Sequence, residues 1–252
     1  MEDSPHPYEE FALSMSKHRR LYPNSGAQLT PRLEKLLQII GQQGILRFDQ
    51  VQRWLALLSP EPDQMKQPGI LSAERTRKIL RPWFDEELFL YKMFYTGQKG
   101  VLWLTTKGLK YAKLNLRFYE PTPASLQHLS AVNEIRLLIA TRRPQETWRS
   151  ERELRAEQNV RLKGSTPPHV PDAELLSTNG NVRAIEVELT AKSEKRVEEI
   201  VFDLAGNTRY STIWYFLPAH VFPVVKKAVG KLPSEHRKRF VYYSLEGELY
   251  GQ

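Results

Sequence analysis

The sequence predicts an α/β chain in two parts: a small helical region closed by a β-hairpin, then a larger α/β region with a mixed central sheet. Three observations predict it. Apolar residues recur at helical spacing over three segments between 31 and 87, and two β-prone runs follow around a Gly-containing turn. A stretch with two prolines and no period, 117–125, interrupts the pattern. Beyond it, segments of period 3.6 and period 2 alternate along the chain.

Length and composition bound the function classes. A chain of 252 residues with 40% hydrophobic residues can build two cores and is too apolar to stay disordered. No run approaches the roughly 18 apolar residues of a membrane helix. The opening Met1-Glu2-Asp3-Ser4-Pro5 is acidic with no apolar stretch behind it, so a secretory signal is not expected and a cytoplasmic address is. The absence of cysteine excludes a disulfide scaffold, a thiol nucleophile and thiolate zinc sites. Lys plus Arg number 37 against 29 acids, a surplus of +8 that draws the chain to polyanions, nucleic acid first among them, or serves solubility alone.

Residues 1–26, with Lys17-His18-Arg19-Arg20, read as a flexible basic arm. Thr30-Pro31 is an N-cap followed by proline at the first helical position. Leu33, Leu36, Leu37 and Ile40 then share a helical face, and Gly41 and Gly44 are expected to stop it. A second helix runs through Phe48, Val51, Trp54, Leu55 and Leu58, and a Pro-rich polar loop, 59–69, follows. Ser72 caps a third helix to about 87, with Ala73, Ile79, Leu80, Trp83 and Phe84 on one arc and Arg75, Arg77, Lys78 and Arg81 on the other. Runs 88–95 and 101–105, joined across Gly97 and Gly100, form a hairpin, and 106–116 a further helix. Three helices and then a hairpin is the order of a winged helix-turn-helix, here 27–118. Its third helix would enter the major groove, and the hairpin would bring Lys92 and Lys99 to phosphates.

After the linker, 126–252 reads as one α/β domain. Leu129, Val132, Ile135, Leu138 and Ile139 lie inward on a helix over 126–139. A polar stretch follows, then strands over 169–176 and 182–189 joined at Asn179-Gly180. A helix over 193–205, a strand over 212–217 and a helix over 221–229 complete it.

Within this domain, Asp172 stands on the first strand of the hairpin, and alternation sends Glu186 and Glu188 to one face of the second. Acids so crowded repel one another, and a divalent cation is the usual reason to tolerate that. Oxygen donors without cysteine point to Mg²⁺ or Mn²⁺. Such an ion polarises a phosphodiester and lowers the pKa of bound water. The alternative is that Glu186 and Glu188 line the solvent face of an edge strand and pair with Arg or Lys. No Lys-Ser/Thr phosphate loop is present, so ATP use is not expected.

Pro171-Asp172, a turn and Glu186-Val187-Glu188 resemble the PD-(D/E)XK nuclease motif. A winged helix, a helix with His128, Asn133 and Glu134, then His169-Val170-Pro171-Asp172-Ala173 and Glu186 to Ser193 with Arg196 and Tyr210 follow in one order. That order resembles the plasmid replication-relaxation family and the MobC-type relaxases, over about residues 30 to 218. The resemblance implies a restriction-endonuclease-like domain that nicks plasmid DNA at an origin of transfer or replication, alongside other mobilisation or replication proteins. It implies metal binding by Asp172, Glu186 and Glu134. Position 188 departs from the family's commoner lysine, which leaves Glu188 or the nearby Lys192 to activate the nucleophile. His128 is a candidate for a place behind the metal ligands or on the leaving-group side, with a structural role as the alternative. Tyr210, read at the end of the helix after the site, matches a family position, and packing is its expected job. The competing reading is an origin-binding accessory protein or regulator that does not cleave.

Overall fold

The computed structural model describes residues 30–59, 69–161 and 169–248. The expected basic arm, most of the 59–69 loop and the run 162–168 lie outside them. The chain divides into two compact units, the first ending at Ser130 and the second beginning at Ala131.

In the first unit, helix α1 (Pro31–Gln43) starts where Thr30 Oγ1 accepts from Leu33 N at 3.4 Å. It runs through Gly41 instead of stopping there, and ends at Gly44, whose φ is 87°. Gly41 is an interior residue for lack of room: a Cβ there would come within 2.4 Å of Leu114 Cδ1 and 2.9 Å of Leu104 Cδ1. Strand β1 (Leu46–Arg47) leads into α2 (Phe48–Leu57), and α3 (Ala73–Asp85) begins at its Ser72 cap. The buried face of α3 is Thr76, Leu80 and Trp83, while Ala73, Ile79 and Phe84 are half-buried, so the core-facing arc is turned towards Thr76 from the one expected. Strands β2 (Phe89–Lys92) and β3 (Val101–Leu104) form the hairpin, and β1 pairs with β3 to give an antiparallel sheet of order β1-β3-β2.

Helix α4 (Thr106–Tyr111) is shorter than expected. Lys113 takes a φ of 58° and Leu114 N closes onto Leu109 O at 2.9 Å, which ends the helix without the glycine that would have marked it. Helix α5 (Pro123–Arg142) is longer than expected. Its Leu126 and Leu129 pack with Ile45, Val101 and Trp103, while Val132, Ile135 and Ile139 belong to a core of the second unit.

The second unit is built on a five-stranded mixed sheet, β4 (Thr147–Ser150), β5 (Ala173–Leu176), β6 (Val182–Val187), β7 (Tyr210–Phe216) and β8 (Phe240–Tyr243), in sequential order. The β4-β5-β6 pairs are antiparallel and β6-β7-β8 are parallel. One face, with Ala173, Leu175, Ile185, Val187, Trp214 and Phe216, is covered by α5. The other, with Ala184, Ile213 and Tyr215, is covered by α7 (Glu194–Gly206) and α8 (Phe222–Gly230). Helices α6 (Glu151–Arg161) and α9 (Ser234–Arg237), with β4 and β8, lie in segments whose polar or mixed composition gave no periodic signal. No helix of the described residues is long and apolar enough to cross a membrane.

Candidate functional site

Strand β6 is the middle strand of the sheet, so Glu186 does not line an edge, while Glu188, one residue past the strand, does pair with a lysine as the alternative had it. Glu186 is 4% exposed and Glu188 8%, both on the face that carries Ala184 and Tyr215. Antiparallel pairing of Ala173 with Ile185 brings Asp172 level with Glu186, and Asp172 Oδ2 accepts the backbone N–H of Val187 at 2.7 Å. The tight Ser177–Asn181 turn, with Gly180 at φ 84°, sets that register.

His169 completes this corner. Its Nε2 lies 2.8 Å from Glu186 Oε1, and its backbone N–H donates to Asp203 Oδ2 at 3.1 Å. Burial, and secondarily the Asp172 charge, push the Glu186 carboxyl up to about 7, against the opposing pull of His169. Burial lowers the His169 imidazole, but its bond to Glu186 and the two nearby carboxylates outweigh that and leave it raised. Beyond the strand, Lys192 Nζ donates to Glu188 Oε2 at 2.5 Å.

Tyr215 is opposite Glu186 on β7, is 2% exposed, and its hydroxyl has no hydrogen-bond partner among the described residues. Burial raises its pKa well above the ordinary value, with Glu186, Glu188 and Asp172 adding to the rise. Asp172, Glu186, Glu188, Lys192, His169 and Tyr215 therefore act on one another electrostatically at one corner of the sheet.

Glu174, two residues from Asp172, is neutralised in another way. It accepts from Arg149 Nη1 at 2.9 Å, Arg209 Nη2 at 2.7 Å and the Tyr210 hydroxyl at 3.2 Å. Tyr210 opens β7 instead of closing the preceding helix, and its hydroxyl is spent on that bond.

Glu134 does not join the corner. It sits on α5, which covers the opposite face of the sheet, with the residues around it, Val132 and Ile135, turned to the core. Among the described residues no group of three or more His, Cys, Asp or Glu side chains stands together to hold a metal ion. The donor set that is brought together is a pair of carboxylates, Asp172 and Glu186. Such a pair suits Mg²⁺ or Mn²⁺, which commonly keep several waters and use one or two carboxylates plus a substrate phosphate. His128 is half-buried on α5 within the first unit.

In the first unit, Arg75 and Lys78 of α3 are exposed and Arg81 is half-buried. Arg77 is turned aside: its guanidinium lies 5.9 Å from the Phe48 ring centroid, at the margin of the buried arc. Lys99 is exposed in the hairpin loop, and the Lys92 ammonium lies 4.9 Å from the Phe94 ring centroid.

Sequence reasoning missed two members of the corner. His169 reads as a strand-capping residue beside Pro171-Asp172, and only the course of the chain before β5 shows that its ring meets Glu186. Tyr215 is hidden in an apolar strand, and no local signal sets it apart from core aromatics. The chain matches no protein-family model, no curated protein and no solved structure.

Proposed function

We propose that the chain is a DNA-binding, metal-dependent endonuclease that nicks plasmid DNA at an origin of transfer or replication. One observation carries the reading: Glu186 is buried on a central strand beside Asp172, yet no arginine or lysine side chain of the described residues bonds it. Glu174, in the same sheet, shows how this fold neutralises a structural acid, with two arginines. A buried Glu186 carboxylate bonded by no such cation is costly in isolation, and beside Asp172 it suits a hard cation.

In this reading Asp172 and Glu186 hold Mg²⁺ or Mn²⁺, which when bound supplies Lewis-acid polarisation of the phosphodiester and a more acidic water. Glu188 and Lys192 stand one beside the other at the rim. The lysine neutralises the glutamate and presents positive charge to the phosphate, and the glutamate accepts a proton from the nucleophile. Binding of duplex DNA falls to the first unit. Its order α1-β1-α2-α3-β2-β3 supports a winged helix, with Arg75, Lys78 and Arg81 along one side of α3 and Lys99 in the wing.

The direct test is incubation with supercoiled plasmid carrying the cognate origin, with Mg²⁺, with Mn²⁺ and with chelator. An open-circle product that requires metal supports the reading, and a linear product points to a double-strand cutter. A second reading, an origin-binding protein without cleavage, is favoured by the partners that Asp172, Glu186 and Glu188 already have within the protein. A retarded complex on a gel with no open circle under any metal would select it.

A further inference from the structure

We propose that His169 is a positioning residue for Glu186: its imidazole orients the buried carboxylate so that one oxygen is held by the protein and the other is presented beside Asp172. The inference rests on the metal site proposed above and names a role that the two-acid motif does not contain.

Three observations carry it. The imidazole Nε2 takes Glu186 Oε1 at 2.8 Å, and among the described residues Glu186 Oε2 has no hydrogen-bond partner. The His169 side chain is 14% exposed and that of Glu186 5%, so neither moves freely in solvent. The histidine is itself anchored, since its backbone N–H donates to Asp203 Oδ2, from helix α7, at 3.1 Å. The chain is Asp203 to His169 to Glu186, running from a helix through a loop residue to the central strand. A ligating carboxylate fixed by an outer hydrogen-bond donor needs no reordering when the cation arrives, and loss of such donors commonly weakens metal binding by about 10–100-fold.

The test is Mn²⁺ binding by the full chain without DNA, read as loss of the free-ion electron paramagnetic resonance signal. His169→Phe keeps the ring volume and removes the donor, and His169→Gln restores an N–H donor. We expect the phenylalanine variant to bind Mn²⁺ about 10–100-fold more weakly and the glutamine variant to stay within a few fold of the unaltered protein. DNA retardation should be the same for all three. Asp203→Ala, at an exposed side chain, should weaken Mn²⁺ binding in the same direction by a smaller factor, and keeps the test informative if the phenylalanine variant fails to fold. Mn²⁺ binding unchanged in both His169→Phe and Asp203→Ala would overturn the proposal. So would equal weakening in the phenylalanine and glutamine variants. Absence of Mn²⁺ binding in the unaltered protein would remove the metal site itself and the positioning role with it, an outcome told apart by that control alone.

Discussion

Lys192 and Glu188 are joined by a 2.5 Å hydrogen bond in which the exposed lysine meets a buried glutamate, its side chain 11% exposed, at the end of the central strand. The relationship gives the buried glutamate a lysine partner four residues later in the chain. A positive charge thus stands near the site, carried by the loop that follows β6.

If the two act as a unit, their substitutions should not add. Lys192→Met and Glu188→Gln are each expected to slow nicking by roughly 10²-fold or more, the range of a positioned acid–base group. The double variant should be little slower than the worse single one. First-order rates of open-circle formation measure this, and a double variant as slow as the product of the two effects would show that the residues work independently.

The His169–Glu186 pair makes a pH prediction for the metal-free protein. Glu186 is raised in the folded state to about 7, so the fold binds its proton more tightly than the unfolded chain does. That contribution is present at low pH and is lost as pH rises through about 7. His169 is also raised, and its contribution likewise is full below its unfolded value and falls as pH climbs through the folded one. Both signs agree. Glu186→Gln should therefore match the unaltered protein near pH 5 and exceed it near pH 8 by on the order of 1 kcal/mol or more. Urea unfolding in chelator at the two pH values checks it, and a difference that does not depend on pH would contradict it.

On the first unit, the exposed side of α3 predicts salt-dependent binding. Replacing Arg75, Lys78 and Arg81 together by Gln should weaken duplex binding by orders of magnitude. The slope of log K against log salt should fall by about 0.9 for each phosphate that is no longer neutralised. Arg77→Gln should weaken binding less, because that guanidinium lies against Phe48. Retardation assays across a salt series separate the two. An unchanged slope in the triple variant would place the DNA on another surface.

A packing prediction concerns Gly108, near the start of α4. An ideal Cβ there would sit 1.9 Å from the Leu88 carbonyl oxygen, which also accepts the Thr105 N–H at 3.1 Å. Backbone cannot step aside as a side-chain tip can. Gly108→Ala should cost at least about 2 kcal/mol despite the better helix propensity of alanine, read from the urea midpoint.

The parts of this architecture that were legible in the sequence are those with strong periodicity and conventional caps. Thr30 and Ser72 each cap the helix expected of them, and the β5–β6 hairpin follows the Asn179-Gly180 turn. What escaped had no such signal. Strand β4 is four residues of Thr-Trp-Arg-Ser, and α6 is a polar helix held by pairs such as Arg155 with Glu151. Strand β8 follows a basic run and is fixed by stacking of Tyr243 on Phe216 and a tilted contact of Tyr242 with Tyr215, a tertiary effect. Within the candidate site, Asp172, expected on the first strand, stands one residue before β5, while strand alternation put Glu186 and Glu188 on one face, as the structure has them. It could not show that α5 covers the other face, which separates Glu134 from the pair. Nor could it place His169, which lies outside any regular element.

The central claim is that Asp172 and Glu186 act together on a phosphodiester through a bound cation. The most direct measurement compares Asp172→Asn and Glu186→Gln with the unaltered protein on origin plasmid, scoring open-circle formation and duplex retardation side by side. The expected result is metal-dependent nicking by the unaltered protein, none above background by either variant, and retardation within a few fold for all three. Nicking at the full rate by both variants would contradict the claim.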